Sequence, residues 1–254
     1  MEITDAQYRL IEHCLPTQRG NVSLSNLRVL NAILYVTEQG CKWRGLLTRF
    51  GNGHTIYTRM NRWAKGGVLD RVFAQLQHAQ IVRLKIEAVA LDSTAVNVHP
   101  DGTGALKKNG PHAIGKSRAG WTTKIHLVAA DARTALTFAL SPGQAHDAPE
   151  GRKLLRRLGR APWPLHLLMD RAYEGDETRQ LALELGFSPV VPPKQNRITA
   201  WEYNRALYKR RNEIERLFRR LKGVRRIFSR FETLDVMFVG SINFALIADG
   251  LRIV

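Results

Sequence analysis

Through the first 80 residues, apolar positions recur at every third or fourth place; from residue 86 they collect into short apolar runs bounded by polar turns. The first pattern predicts helices and the second predicts strands. ITDAQYRLIEHCL opens with Thr4 followed by Gln7, a capping-box pair, and Pro16 closes it. Leu24, Leu27, Leu30, Ile33, Leu34 and Val36 mark a second helix, which Gly40 terminates. WRGLLTRF and the turn GNG lead to HTIYTRMNRWAKGG, a helix carrying Arg59, Arg62 and Lys65. Helix, glycine turn and basic helix fit a helix-turn-helix DNA reader, and equally an ordinary small helical domain.

Beyond residue 86, IEAVALD is an apolar run that ends in Asp92, and TTKIHLVAAD and TALTFALS flank DART as a hairpin. A helix is expected over Asp147 to Leu158. LHLLMD then ends in Asp170, GDETRQLALELG reads as a helix stopped by Gly186, FSPVVPP as a strand, and Trp201 to Lys222 as one long helix. The result is an α/β unit, a mixed sheet covered by helices. Residues 97–120, rich in glycine and lysine and without periodicity, are expected to form a mobile basic loop. Its Lys107, Lys108, Lys116 and Arg118 suit a DNA backbone, or simply solvate a linker.

Charge narrows the partners. Of 254 residues, 39 are Lys or Arg and 22 Asp or Glu, for a formal charge of +17, which favours polyanions and above all nucleic acid. The run from Leu234 to Ala248 is interrupted by Gly240, Ser241 and Asn243 and is shorter than the ~20 apolar residues that span a bilayer, so it reads as a buried helix. The N-terminus has no basic segment followed by an apolar run. Cys14 and Cys41 have neither a CxxC partner nor a histidine at zinc spacing. A cytoplasmic, nucleoid-associated protein without disulfides, structural zinc or a membrane segment is expected.

Three carboxylates stand out. Asp92 and Asp170 each follow an apolar strand, at the carboxyl edge where ligands of open α/β sheets bind. Each could simply cap its turn; together they offer hard oxygen ligands for Mg²⁺ or Mn²⁺. The third lies in LYKRRNEIERLFRRLKGVRR. At about 100° per residue, Leu207, Ile214, Leu217, Phe218 and Leu221 share a core-facing side. Measured from Tyr208, Arg211 falls at roughly −60°, Glu215 at roughly −20° and Lys222 at roughly −40°, a stripe beside that face. Glu213 lands at roughly 140°, among outward Lys and Arg. Glu213 therefore reads as a solvated ion-pair partner, and Glu215 as either an ion-pair partner or a third ligand. Lys124 and His126 share one strand face and either approach the site or face solvent. His146-Asp147 has no further spaced histidines, so Asp147 reads as the start of a helix.

Tyr208, Arg211, Glu215 and Lys222 reproduce Y-x2-R-x3-E-x6-K, and with it the chain resembles the insertion-sequence DDE transposases, most of all the family usually numbered five. LDST around Asp92, Asp170-Arg171-Ala172-Tyr173, Gly120 with Thr122 to His126, and Gly143 to Asp147 are similar to motifs of that family. The chain departs from it at Trp43-Arg44-Gly45-Leu46-Leu47 and Phe50-Gly51-Asn52-Gly53, where relatives often read W-R-D-L-P and F-G-N-W. The resemblance implies an RNase H-like fold over residues 84–254, after a helical DNA-binding domain over 1–83. It implies a catalytic triad of Asp92, Asp170 and Glu215 as metal ligands, for which two Mg²⁺ (or Mn²⁺) ions are expected; Tyr208, Arg211, Arg219 and Lys222 on the same segment, Arg59 and Arg62 of the basic helix, and Lys107 and Lys108 of the basic loop are expected on DNA. It also implies double-stranded DNA partners, namely transposon terminal repeats and target, and a homodimer on paired ends. The expected activity is cutting of transposon ends and transfer of the 3′-hydroxyl strand. The alternatives are a nuclease of the same fold without strand transfer and a non-catalytic repressor.

Overall fold

The computed structural model describes residues 2–20, 22–83, 86–104 and 112–251, which divide into two compact units. One comprises residues 1–80, 97–112 and 220–254; the other comprises 81–96 and 113–219.

The first unit is helical. Helix α1 (Asp5–Arg9) carries the expected capping box between Thr4 and Gln7. Helix α2 (Asn26–Gln39) is capped by Ser25 and ends on Gly40 at φ 69°, a left-handed conformation that glycine adopts without cost. Helix α3 (Gly53–Lys65) starts at Asn52, whose side chain accepts from the amides of His54 and Thr55. Residues 40–52, which join α2 to α3, hold two 3-10 turns, with Trp43 edge-on to Tyr57 and Phe50 against Tyr35. The connection is therefore longer than the three- or four-residue turn of a helix-turn-helix. Helix α4 (Val68–Arg83) follows after Gly66 and Gly67.

The last helix of the chain, which is numbered α10 below (Asp235–Leu251), packs against α2 and α3. Its Phe238, Ile242, Phe244 and Leu246 are buried with Ile33, Ile56 and Met60 in the same unit. A cut at residue 83/84 thus does not describe the spatial division, because a helix apolar on every side needs neighbours all round and finds them among the N-terminal helices. No helix among the described residues is long and apolar enough to cross a membrane.

The second unit is built on a mixed sheet. Strands β1 (Ala88–Val98), β2 (Gly115–Ser117), β3 (Gly120–Ala129), β4 (Ala135–Pro142), β5 (Leu165–Met169) and β6 (Phe187–Val190) are arranged so that β3 carries β2 and β4 as antiparallel partners and lies beside β1. On the other side β1 pairs β5, and β5 pairs β6, both in parallel. This is an RNase H-like sheet, and the α/β expectation holds. Helices α5 (Asp147–Leu158) and α6 (Asp176–Glu184) cover it over a core of Leu91, Val128, Leu155, Leu167, Met169 and Tyr173. At α5 the backbone comes so close that a Cβ on Gly151 would lie 2.5 Å from the Tyr173 ring and 3.2 Å from Leu91.

Three sequence expectations change here. Strand β1 does not end at Asp92: its continuous buried run stops at Leu91, but it proceeds as an alternating strand to Val98, where Asn97 and Val98 pair with β7 (Ser229–Arg230). Residues 97–120 are not one irregular loop, since they include the end of β1 and all of β2; Lys107 and Lys108 lie outside the described residues. The segment from Trp201 to Lys222 is not one helix. Trp201 lies in irregular chain, its indole donating to the Val191 carbonyl at 2.9 Å under the guanidinium of Arg179. Helix α7 (Arg205–Tyr208) starts only at the Asn204 cap, a 3-10 turn covers Lys209–Arg211, and α8 (Asn212–Lys222) completes the segment. Short α9 (Arg225–Phe228) precedes β7.

Candidate active site

Register determines where the first two carboxylates stand. Leu91 of β1 pairs with Met169 of β5, the last pair of that ladder, so Asp92 and Asp170 are the next residues on two adjacent parallel strands. Paired positions of neighbouring strands present side chains to the same face, which makes the carboxylates neighbours. Asp170 caps the turn Arg171–Tyr173 by accepting from the Arg171 amide. Asp92 accepts from the Ser93 amide at 2.8 Å. The capping role and the edge position therefore coexist at Asp170, whereas Asp92 lies inside β1 and caps no turn.

The third carboxylate arrives on α8. Ile214, Leu217, Phe218 and Leu221 are buried, as the helical wheel requires, while Leu207 is only partly so. Arg211 Nη1 lies 2.6 Å from Asp92 Oδ2, and its Nη2 lies 2.5 Å from Glu215 Oε1. One guanidinium thus ties a β1 carboxylate to an α8 carboxylate. Glu213 pairs with Arg216 at 2.9 Å, so the two glutamates differ in partner; they do not differ in burial as the wheel predicts, since their side chains are 35% and 38% exposed. Tyr208 lies beside Arg211, whose guanidinium is 5.8 Å from the ring centre.

The electrostatics record this convergence. Burial pushes the Asp92 carboxyl up to about 6; the Ser93 amide and Arg211 act against it, while Asp170 and Glu215 add to it. Burial alone would lower Arg211, but Asp92, Tyr208, Glu215 and Asp170 hold it above its ordinary value. Tyr208 is raised by burial, with Arg211 opposing and Asp170 reinforcing. Three carboxylates offer hard oxygen donors, the kind that Mg²⁺ and Mn²⁺ prefer. Among the described residues, however, no three His, Cys, Asp or Glu side chains are close enough together to hold one ion. The donor set fits a divalent cation in kind, with two of its members bound to Arg211.

The remaining expected residues scatter. Arg219, on α8, is exposed. Lys222 closes α8 in the helical unit, its amine lowered by burial. Arg62 is exposed on α3, whereas Arg59 is half-buried and donates to the Leu24 carbonyl at 2.9 Å. The basic run around α8 and α9 is less outward than its composition implies. Arg226 and Arg230 are buried, the first paired with Glu232 and the second with Asp235 at 2.6 Å, and Arg220 pairs with Asp249 at 2.9 Å.

A cluster beside Asp92 was not foreseen. Lys124 faces inward and donates to Asp147 Oδ1 at 2.9 Å, and Ser93 donates its hydroxyl to the same oxygen at 2.8 Å. His126 is fully buried, with Nε2 2.8 Å from Ser141 Oγ, and burial lowers its pKa. The buried Tyr173 phenol is raised by burial first, then by Asp147 and Asp92. The motifs containing Lys124 and Asp147 were visible in the sequence; their meeting was not, because it joins residues 23 apart on a strand and a helix.

Comparison with known proteins finds family matches over most of the chain. The family described as "Transposase DDE domain" matches residues 83–241, and that described as "Putative transposase of IS4/5 family" matches residues 3–73. The uncharacterized protein y4sN of Sinorhizobium fredii is 33% identical over 86 residues, which make up 34% of this chain and 66% of that protein. The putative transposase for insertion sequence element IS6501 of Brucella ovis is 31% identical over 132 residues, 52% of this chain and 99% of that one. The solved pre-cleavage Mos1 transpososome is 12% identical with a TM-score of 0.28, over 68% of this chain and 61% of the Mos1 chain. The chain therefore spans just under two thirds of the first curated relative and of the first solved structure.

Proposed function

The chain belongs to the DDE-domain transposases of the IS4/5 type, and from that premise we propose that it cuts the ends of its own insertion element and joins the freed 3′-hydroxyl strand to target DNA. The observation that supports this reading is that Asp92 and Asp170 follow paired positions of two adjacent strands while Arg211 bridges Asp92 and Glu215. In this reading Asp92, Asp170 and Glu215 would hold two Mg²⁺ or Mn²⁺ ions. Such ions, when bound, polarise the scissile phosphate and lower the pKa of an attacking water.

The chain's own residues bind and orient. Arg211 is a planar donor set already aimed into the site, suited to clamp a phosphate by two hydrogen bonds. Lys222 and Arg219 extend the same helix as point contacts to the DNA backbone, and Tyr208 packs beside the phosphate that Arg211 holds. In the first step water replaces the 3′-oxygen on phosphorus, leaving a free 3′-hydroxyl on the element. In the second, that hydroxyl attacks a target phosphate and displaces the target's own 3′-oxygen. No covalent enzyme intermediate is needed. Arg62 and the other exposed basic residues of the helical unit serve end binding, and two copies of the chain pair two ends.

The test is cleavage and joining of DNA carrying the element's terminal repeats with Mg²⁺ or Mn²⁺, for wild type and Glu215→Gln. The expected outcome is wild-type cutting and joining, with both reduced in the variant by more than about 100-fold, the upper range for merely supporting residues of a metal site. Cutting without joining would return the nuclease reading. Full activity in Glu215→Gln would leave Glu215 as the ion-pair partner of Arg211 alone.

A further inference from the structure

We propose that Lys124 and Asp147 form a positioning pair that sets the carboxylate of Asp92 through Ser93, an inference that rests on the reading of Asp92 as a member of the cleavage site. Four groups from three elements make a continuous chain. Lys124 Nζ on β3 donates to Asp147 Oδ1 at 2.9 Å and to the Ala145 carbonyl at 2.8 Å, which fixes both the first residue of α5 and the loop that enters it. The same Asp147 oxygen accepts the Ser93 hydroxyl at 2.8 Å. The Ser93 amide then donates to Asp92 Oδ1 at 2.8 Å. Asp92 Oδ2 is left for Arg211, so the two oxygens of that carboxylate have separate partners.

The pair is spent in an unusual place. Its side chains are only 20% and 25% exposed, so two charges are partly withdrawn from water beside β1, at a cost that a mere link between helix and sheet does not require. What that cost secures is the peptide that follows Asp92. A serine whose hydroxyl is held by α5 cannot turn its amide away, and the amide in turn holds one rotamer of the neighbouring carboxylate. Supporting hydrogen bonds of this kind orient ligating side chains elsewhere. The arrangement also gives a common purpose to Thr122–His126 and Gly143–Asp147, two stretches with no part in the proposed chemistry: the first supplies the cation and the second its anion. Lys124 is thereby occupied, and it is not assigned to DNA phosphate.

Ser93→Ala decides the matter, because it deletes the link while leaving the Lys124–Asp147 pair and the packing of α5 in place. Crystal structures of wild type and Ser93→Ala in metal-free buffer would read the Asp92 rotamer, and titration with Mn²⁺ followed by electron paramagnetic resonance would read its consequence. The inference expects Asp92 to leave its single rotamer in the variant, the Mn²⁺ dissociation constant to rise about tenfold, and the unfolding temperature to fall only as far as the loss of one hydrogen bond requires. Asp147→Ala should raise the dissociation constant as well, and the double variant should bind no more weakly than Asp147→Ala, since both act through one chain. Asp92 in an unaltered single rotamer in Ser93→Ala would overturn the proposal. Equal Mn²⁺ binding by wild type and Asp92→Asn would instead remove the metal reading of Asp92, and the rotamer comparison would still judge the positioning.

Discussion

Asp92 is the residue at which the competing forces are most evenly matched. Its carboxyl, pushed up from the ordinary 3.8 to about 6 chiefly by burial, has a definite stability signature. Below pH 3.8 it is protonated whether the chain is folded or not; above 6 the folded state holds a buried carboxylate that the unfolded chain would solvate. Metal-free protein should therefore lose stability through this group as pH rises from 4 to 7, by up to about 3 kcal/mol. Denaturant unfolding of wild type and Asp92→Asn across that range checks this: the variant should gain on wild type as pH rises, and a constant gap would refute it. Arg211 sits on the other side of the balance. Arg211→Gln removes the guanidinium that binds both Asp92 and Glu215, so the metal-free protein should unfold at lower denaturant, by about 1–3 kcal/mol, less than for a fully buried pair because Glu215 is 38% exposed. Mg²⁺ should restore part of that loss, which a purely structural ion pair would not allow.

At the level of elements, the site depends on how closely α5 approaches the sheet. Gly151 lets the helix rest on Leu91 and Tyr173, directly behind Asp92. Both neighbours are fully buried and cannot retreat. Gly151→Ala should cost about 1–3 kcal/mol, typical of overpacking and larger than the gain alanine brings to a helix, as measured by chemical unfolding. A neutral or stabilising result would mean that α5 can lift from the sheet, and with it the Asp147–Ser93 bond. Most elements were legible beforehand because their signals are local. The Thr4–Gln7 box, the Gly40 stop and α5 from Asp147 to Leu158 appear as read. The segment after Trp201 failed because its determinant is distant: an indole bonded to Val191 and stacked under Arg179 outweighs helical propensity.

For the molecule as a whole, a charge of +17 predicts DNA affinity that falls steeply with salt, and the structure sorts which cations contribute. Arg219 is exposed on α8, so Arg219→Ala should reduce the slope of log K against log salt by about one. Arg226 is buried against Glu232 and the Cys41 carbonyl; Arg226→Ala should lower the unfolding temperature and leave the slope almost unchanged. Fluorescence anisotropy with a labelled duplex at several salt concentrations, beside thermal unfolding of each variant, separates the two. Equal slopes for wild type and Arg219→Ala would place the DNA path elsewhere.

The sequence alone determined the helical and strand regions, the net charge of +17 and, through the spaced Tyr208, Arg211, Glu215 and Lys222, the family. All of these depend on periodicity, composition or spacing along one segment. Only the tertiary structure decided that β1 runs on past Asp92, that α10 belongs with the N-terminal helices, that Arg226 and Arg230 are buried, and that Lys124 and Asp147 meet at Ser93. These are consequences of strand register and side-chain pairing between distant segments. Hydrophobic periodicity tells which face of an element is buried, but not what lies against it.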